Sequence, residues 1–392
     1  MSRIVLTLML CVFGITTGEF VIAGILPDVA ADLAVSIPAA GLLVTAYALG
    51  MIVGGPVLTA LTARFPRKPL ITALLGVAVA GNLASTLAPG YPVLFAARVI
   101  SACVVATFFA NAIVVAAASA PPDRQASTVA KLALGMNLAM ILGAPLGTAI
   151  GHALGWRATF AAITAVCLAG LVLVWRLVPI GLPERPNQRA EVTESGLGVR
   201  SELRVFGERD VRLAIALTAV GNAGLLAVFT YLAPLLTGVA GFPAEAVAGL
   251  LLVYGVGAAL GNLAGGWLYD RAPSASMPGL LALLTAVLAV AWLVGRHPVP
   301  AAVTVFLLGA VGFAVIPGMQ ARVLSAAAEA PTLAIAVNAS AYQVAAAFAG
   351  WLGGRVIDAA GVRPIYLVAA AVTAAGFMLA VYSGRRTRTP AR

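Results

Sequence analysis

Twelve long apolar runs follow one another along the chain, and short polar segments separate them. A transmembrane helix needs about 20 apolar residues to cross the hydrocarbon core of a bilayer. The pattern therefore predicts an all-α polytopic membrane protein with 12 transmembrane helices. The predicted spans are 4–26, 40–63, 69–88, 92–118, 129–153, 158–178, 211–236, 246–269, 277–296, 300–320, 332–354 and 364–383.

Composition excludes a soluble protein of this length. Of the 392 residues, 61% are hydrophobic and 10% are charged, and the mean hydropathy is +1.03. A soluble domain must expose much more polar surface to water than this composition provides. The first run lacks a small-residue cleavage site, and Glu19 interrupts it. We therefore predict a retained first span and not a signal peptide.

The positive charge is distributed unevenly about the predicted spans. If the N-terminus lies inside, nineteen of the 24 Lys and Arg residues fall in inner segments or at the inner ends of spans, four fall in outer segments, and Arg98 falls deep within a span. Cytoplasmic segments of membrane proteins are enriched in Lys and Arg. We therefore expect both termini in the cytoplasm and a location in the cell membrane. Because this distribution accounts for the net charge of +10, we do not interpret that charge as nucleic-acid binding, and the expected surroundings are the lipid bilayer and no nucleic acid.

The two halves of the sequence repeat. The most polar segment between spans, 179–210, is predicted to be a cytoplasmic linker, with a short amphipathic helix near 199–207. It separates an N-terminal six-helix bundle, 1–178, from a C-terminal one, 211–384, and a cytoplasmic tail, 385–392, follows. Because both halves insert in the same orientation, we expect the substrate site between them, near the membrane midplane. A shift of 207 pairs Pro27 with Pro234, Tyr47 with Tyr254, Gly50 with Gly257, Gly54 with Gly261, Arg64 with Arg271, Gly143 with Gly350, and Gly147 with Gly354.

The fifth span is rich in glycine and contains an interior proline. Gly143, Gly147 and Gly151 recur every four residues and make a smooth stripe on one helix face, and Gly135 precedes them. Such stripes allow two helix backbones to approach closely in a membrane. Pro145 removes a main-chain hydrogen bond within the span. We predict a surface on which this helix slides or bends against a neighbour.

Two ionisable residues lie deep within predicted spans, Glu19 and Arg98. Such groups are costly in a membrane and usually face a cavity or a partner. Glu19 is our candidate for proton coupling, and the alternative is a structural hydrogen bond or a side chain that reaches the interface. Arg98 needs either a counter-charge, which Glu19 could supply, or several carbonyl groups. We consider a role in proton coupling for Arg98, and the alternative is a purely structural tether. Asp28 and Asp32, at the outer end, are predicted to be solvated or helix-capping groups.

Neutral polar residues within spans are candidates for contact with the substrate. An apolar, partly aromatic cavity with a few hydrogen-bonding groups suits a small amphiphilic ligand, although hydrogen bonds between helices would also explain these residues. The candidates are Thr107, Asn111, Asn137, Asn222, Tyr231, Asn338, Tyr342 and Gln343. We expect Cys11, Cys103 and Cys167 to serve in packing. We expect His152 and His297 to lie at the membrane–water interface. No spacing suggests a metal site or a cofactor.

Several of these motifs together resemble the major facilitator superfamily, and in particular its twelve-helix drug:proton antiporter branch, which includes actinobacterial chloramphenicol resistance exporters. The fifth span is similar to the antiporter motif in Gly135, Gly143, Pro145 and Gly147. Arg98, followed four residues later by Ala102, is similar to a motif that the family links to proton transfer. The inner loop after the second span keeps the basic residues of the family's gating loop but has Ala63 where that motif has Asp. The predicted gating loops of the two halves, after the second and eighth spans, contain the charged residues Arg64, Arg67, Lys68, Asp270 and Arg271.

The resemblance implies a transporter and not an enzyme. We expect efflux of a small amphiphilic drug, most simply chloramphenicol, in exchange for protons, by a monomer without cofactors. An exporter of a sugar or a purine nucleoside with the same fold is an alternative, and so is a nutrient symporter. A non-transporting membrane receptor or scaffold is a more remote one.

Overall fold

The computed structural model describes residues 2–62, 65–121, 125–179, 208–326 and 331–386, and these residues are almost entirely helical. Arg64, the predicted helix near 199–207 and the end of the tail lie outside them. In chain order, the α-helices of the described residues are α1 (Arg3–Phe20), α2 (Ile22–Asp32), α3 (Ile37–Thr62), α4 (Arg67–Thr86), α5 (Tyr91–Cys103), α6 (Val105–Ala118), α7 (Gln125–Leu138), α8 (Ala144–Leu154), α9 (Trp156–Leu177), α10 (Arg209–Thr230), α11 (Leu232–Gly238), α12 (Ala244–Arg271), α13 (Pro273–Val294), α14 (Pro298–Ala326), α15 (Pro331–Ala360) and α16 (Ile365–Arg386).

The predicted membrane spans are present as helices. Within the described residues, eleven helical stretches are long and apolar enough to cross a membrane. The remaining predicted span, 332–354, lies within α15, which has 30 residues. The described ranges contain no β-strand. The all-α membrane fold predicted from the apolar runs is confirmed.

Within the part of the chain that the structure describes, four spans are discontinuous, which the apolar pattern does not predict. The first span is broken at Val21, the fourth at Val104 and the seventh at Tyr231. In the fifth span a π-helical segment, Ala139–Gly143, joins α7 to α8. Pro145 explains that segment, because a proline ring clashes with the carbonyl group four residues earlier in a regular α-helix, and the wider π turn relieves the clash.

The chain forms two compact units, Met1–Thr193 and Glu194–Arg392, and the division falls within the predicted linker. In the first unit, a continuous apolar core includes Leu8, Leu75 and Phe160, which are contributed by α1, α4 and α9. In the second unit, a smaller core includes Leu281 and Met319, from α13 and α14.

A matched pair of backbone contacts shows that the halves repeat in three dimensions. A methyl group added at Gly50 would lie 2.5 Å from the main-chain oxygen of Val99. One added at Gly257 would lie 2.5 Å from the main-chain oxygen of Phe306. The shift of 207 that relates the two glycines also relates Val99 to Phe306. In both units, therefore, glycine allows the second and fourth spans to pack backbone against backbone.

Candidate functional site

The break in the first span lies beside Glu19. Helix α1 ends at Phe20, α2 begins at Ile22, and Val21 forms a turn between them. The last carbonyl groups of a helix have no amide partner within it. A break in a membrane span therefore leaves acceptors that another part of the protein has to satisfy. Glu19 is half-buried and lies in this last turn of α1.

Arg98 on α5 supplies hydrogen-bond donors to this helix end. Its side chain is 1% exposed. One terminal nitrogen, Nη1, donates to the main-chain oxygen of Gly18 at 2.5 Å, and Nη2 donates to that of Glu19 at 3.5 Å. A cation is favourable at the C-terminus of a helix, where the main-chain dipoles leave partial negative charge. The guanidinium carbon also lies 4.2 Å from the ring centre of Tyr47 on α3, which adds a cation–π interaction.

Glu19 and Arg98 belong to one site. The carboxylate of Glu19 interacts electrostatically with both Arg98 and Tyr47. Arg98 forms the structural tether that the sequence offered as its alternative role. Its hydrogen bonds hold the main chain at Gly18 and Glu19. Tyr47 also belongs to this site, although the sequence alone did not identify it. The sequence feature that could have revealed it is the pairing of Tyr47 with Tyr254 in the repeat.

The corresponding positions of the second half carry no charge. At the shift of 207, Leu226 replaces Glu19 and Val305 replaces Arg98, whereas tyrosine is kept as Tyr254. The ring of Tyr254 lies 5.0 Å from that of Phe229 and 6.2 Å from that of Phe313. The two units thus keep a tyrosine at equivalent positions but surround it differently, with Glu19 and Arg98 in the first unit and with Phe229 and Phe313 in the second.

The glycine stripe of the fifth span packs on the first span at its break. Because the glycines lack side chains, a ridge of side chains from the first span fits into the groove that they leave. Gly143 faces Thr17, Gly147 faces Val21, and Gly151 faces Ile25. On the preceding turns, a methyl group added at Gly135 would lie 2.7 Å from the main-chain oxygen of Met9. The π-helical segment and Pro145 lie within this contact, at the level of the α1–α2 break.

The acidic residues at the predicted outer end have side-chain partners, and Asp32 is also exposed, in keeping with the prediction of a solvated group. Asp28 Oδ2 lies 3.0 Å from His152 Nδ1. Asp32 accepts hydrogen bonds from Trp156 Nε1, at 3.0 Å, and from Arg157 Nη1. The two carboxylates are four residues apart and so share one face of α2, which faces α8 and α9. Hydrogen bonds from Arg157 and Trp156 hold the pKa of Asp32 below its usual value.

Asn111, a candidate for substrate contact, bonds to the predicted gating loop. Arg67 Nη1 donates to Asn111 Oδ1 at 2.5 Å. Asn111 Nδ2 in turn donates to the main-chain oxygen of Thr107 at 2.8 Å, and the hydroxyl groups of Thr107 and Thr59 lie 2.9 Å apart. Both candidates are almost fully buried. This chain of bonds fastens α4 to α6 at the predicted inner end.

Two candidates in the second unit also bond to neighbouring helices. Asn338 Oδ1 accepts a hydrogen bond from the Thr218 hydroxyl group at 2.6 Å. Asn222 Nδ2 lies 3.1 Å from the sulfur of Met319. Thr218 and Asn222 are four residues apart on α10. Together they make a buried polar stripe that faces α14 and α15.

Tyr231 lies at the break between α10 and α11. It is fully buried, and its hydroxyl group donates to the main-chain oxygen of Gly350 at 2.6 Å. The other candidates differ in exposure, since Asn137 is exposed, Tyr342 is half-buried and Gln343 is buried. The hydrogen bond of Tyr231 supports its interpretation as a contact between helices.

The predicted inner charges surround the helix ends. Lys68 is half-buried, and Asp270 and Arg271 are exposed. The guanidinium carbon of Arg271 lies 3.8 Å from the ring centre of Trp267. Among the described residues, no group of three or more His, Cys, Asp and Glu side chains is placed to hold a metal ion.

The sequence is similar to known transporters. A sequence model of the Major Facilitator Superfamily matches residues 8–350. The chain is 34% identical to the uncharacterized MFS-type transporter YfhI of Bacillus subtilis, over 97% of this chain and 94% of that protein. It is 36% identical to a chloramphenicol resistance protein of Streptomyces lividans, over 87% of this chain and 85% of that protein. It is 28% identical to a probable sugar efflux transporter of Pasteurella multocida, over 96% of this chain and 90% of that protein.

Solved structures show the same fold. A bacterial homologue of the human lysosomal transporter Spinster superimposes with a TM-score of 0.78, over 99% of this chain and 98% of that chain, at 17% identity. A D-xylose–proton symporter superimposes with a TM-score of 0.77, over 97% of this chain and 96% of that chain, also at 17% identity. At these identities the likeness concerns the fold alone.

Proposed function

The chain belongs to the Major Facilitator Superfamily and is a multi-pass membrane transporter, and from this premise we propose that it exports a small amphiphilic drug in exchange for protons. The proposed substrate is chloramphenicol or a similar phenicol, and export would confer resistance to it. Both termini lie in the cytoplasm in this proposal, because Lys and Arg are concentrated on that side of the predicted spans.

The observation that carries the proposal is the tie between Arg98 and the broken end of α1 beside Glu19. A carboxylate near a buried guanidinium is attracted to it, and protonation of the carboxylate removes most of that attraction. Arg98 contacts α1 and Tyr47 of α3, so a change of charge at Glu19 acts where three helices meet. A proton that binds Glu19 from outside and leaves inside would drive this change once in each transport cycle.

The substrate assignment rests on different observations. The 36% identical relative is named for chloramphenicol resistance. The second unit supplies the aromatic cluster of Phe229, Tyr254 and Phe313, and aromatic groups with a few hydrogen-bonding neighbours suit a neutral amphiphilic ligand. The fifth span keeps the spacing of the antiporter motif, which favours export over import.

Drug susceptibility tests this proposal. A chloramphenicol-sensitive bacterial host that expresses the chain should become more resistant, and Glu19→Gln should return it to the level of cells without the chain. Glu245→Gln is the matched control, because Glu245 is an exposed carboxylate in the first turn of α12 and should leave resistance unchanged. Membrane amounts of the three proteins are compared on blots. Equal resistance of the wild type and E19Q would exclude a role for Glu19 in transport.

Everted membrane vesicles test the exchange directly. Chloramphenicol added to vesicles with a pre-formed proton gradient should dissipate part of it in wild-type vesicles and leave it unchanged in E19Q vesicles. A gradient that chloramphenicol does not disturb in wild-type vesicles would contradict the proposed exchange.

Sugar export is the second candidate, because a 28% identical relative is named as a probable sugar efflux transporter. The same vesicles distinguish the two functions. A gradient that responds to arabinose and not to chloramphenicol would favour the sugar, and the fold and the Glu19 site would serve either substrate.

A further inference from the structure

A second acid–base pair, Asp28 and His152, lies away from Glu19 at the predicted outer end of the first unit. Asp28 is on α2 and His152 is in the last turn of α8. Each helix follows a discontinuity in its span, at Val21 for α2 and at the π-helical segment for α8. The pair therefore joins two outer segments that both begin at the level of the Glu19 site.

The geometry leaves one nitrogen of His152 available for a proton. Nδ1 lies 3.0 Å from Asp28 Oδ2, and the side chains are 10% and 34% exposed. A carboxylate so close favours a hydrogen atom on the nitrogen that faces it, which leaves the lone pair of the imidazole on Nε2. That Nε2 atom and Asp28 Oδ2 are both buried, and neither makes a hydrogen bond among the described residues, so the 3.0 Å contact of Oδ2 with Nδ1 is an electrostatic one. Proton uptake there would form a cation that already has its counter-ion.

The surrounding charges do not compete for this proton. Asp32, on the same face of α2, is bound to Arg157 of α9, so these two charges offset each other. The part of α3 that precedes Tyr47 has no ionisable side chain, and His152 is the one such group on α8. Glu19 lies on α1, before the break at Val21, whereas Asp28 lies on α2, beyond it.

We propose that Asp28 and His152 form a second proton-binding site, which is loaded from the outer solution. One proton adds to Nε2 of the neutral imidazole, and the resulting imidazolium pairs with the Asp28 carboxylate. Loss of the same proton restores the neutral ring. The loaded pair fastens α2 to α8, so the position of the outer segments responds to external pH separately from Glu19. The statement that this site takes its proton from the outer solution rests on the proposed exchange, in which protons enter from outside.

Nuclear magnetic resonance tests the site without any transport assay. The sequence has two histidines, and His297→Gln leaves His152 as the single imidazole. His297 is exposed, so this variant should fold. With ring-labelled histidine, the signals of His152 in the purified protein should change from those of a neutral ring to those of an imidazolium as the solution is acidified. The added Asp28→Asn change removes the counter-ion and should weaken or abolish this change. Ring signals that stay those of a neutral ring, or that change equally with and without Asp28, would overturn the proposal.

Transport measurements test the function of the pair. With internal pH held constant, drug efflux by the wild type and by H297Q should show the same dependence on external pH. His152→Gln and Asp28→Asn should both flatten it, while E19Q abolishes efflux at every pH. A wild-type profile in H152Q would refute a role in transport. If the wild type does not transport chloramphenicol at all, the proposal that chloramphenicol is the substrate is wrong. The magnetic resonance measurement then still tests whether Asp28 and His152 bind a proton.

Discussion

Arg98 donates a hydrogen bond to the main-chain oxygen of Gly18, 80 residues earlier in the chain. The bond gives the buried guanidinium an acceptor that cannot be protonated, whereas the neighbouring carboxylate of Glu19 can be. In the proposed exchange, the bond to Gly18 would hold the cation on α1 in both charge states of Glu19. The two roles that the sequence leaves open for Arg98 are then compatible, because the tether is made through the main chain and the proposed coupling would act through the charge.

Replacement of Arg98 by lysine should separate charge from geometry. Lysine keeps the positive charge but is a compact donor that cannot reproduce the planar fork of the guanidinium. Loss of one charged hydrogen bond costs about 1.5–3 kcal/mol, which corresponds to a fall of roughly 10-fold or more in transport rate if the bond is needed in the cycle.

Efflux of chloramphenicol from loaded cells measures the rate, with membrane amounts determined on blots. Arg296→Lys is the matched control, because Arg296 is exposed, and it should transport at the wild-type rate. Unchanged efflux in R98K would mean that the bond to Gly18 contributes nothing to transport.

The sequence identifies Glu19 and Arg98 because ionisable residues are costly within apolar spans. The spacing of apolar runs likewise predicts the helices, and the shift of 207 predicts their repetition. These features depend on residues close in sequence or on a constant offset. None requires knowledge of which helices become neighbours.

Side-chain partners could not be predicted in the same way. The bond between Asn111 and Arg67 joins residues 44 positions apart in the chain. Arg157 and Trp156 likewise approach Asp32 from a distant helix. The break at Val21 has no proline or charge at the break itself, and Pro27 lies one and a half turns further along. Such features arise from packing between distant segments, which one sequence does not reveal.

The contact between Gly143 and Thr17 predicts the effect of a single methyl group. In Gly143→Ala the added carbon would overlap the Thr17 side chain, and the contact between α1 and the π-helical segment would have to open. Overpacking of this kind costs about 1–3 kcal/mol. The thermal unfolding temperature of purified G143A should therefore fall.

Gly76→Ala provides the control for this substitution. Nothing lies within 4 Å of the position that its added carbon would take, and alanine is favoured over glycine within a helix by about 1 kcal/mol. This variant should be as stable as the wild type or more so. Equal unfolding temperatures for G143A and the wild type would show that the glycine stripe is not tightly packed.

Asp32 predicts a pH dependence of stability. Arg157 and Trp156 hold the pKa of this carboxyl below its ordinary value, which is about 3.9 in unfolded chains. The resulting stabilisation is fully present above that ordinary value and disappears as the pH falls through the lowered pKa. The effect should be small, because both partners are substantially exposed and exposed ion pairs contribute little.

Thermal unfolding between about pH 3 and 7 measures this contribution. Asp32→Asn should lower the unfolding temperature at pH 7 and reduce the difference between the two ends of the range. Glu245→Gln removes an exposed carboxylate from the other unit and should retain the wild-type dependence. A D32N protein whose unfolding temperature falls with acid as steeply as that of the wild type would exclude this ion pair as a source of the pH effect.

Pro145 predicts a transport defect without a folding defect. Its counterpart in the second half is Leu352, and α15 continues through that position without a π-helical segment. Pro145→Leu should restore the missing amide and allow a regular helix through Ala139–Gly143, which would fix α8 relative to α7. A bias of about 1.4 kcal/mol toward one conformation changes its population about 10-fold, so efflux should fall by a similar factor, while insertion and unfolding temperature remain close to those of the wild type.

Leu146→Ala is the control, because Leu146 is 58% exposed on the next position of the same helix, and it should transport normally. If P145L exports chloramphenicol at the wild-type rate, the π-helical segment is a packing feature and takes no part in the transport cycle.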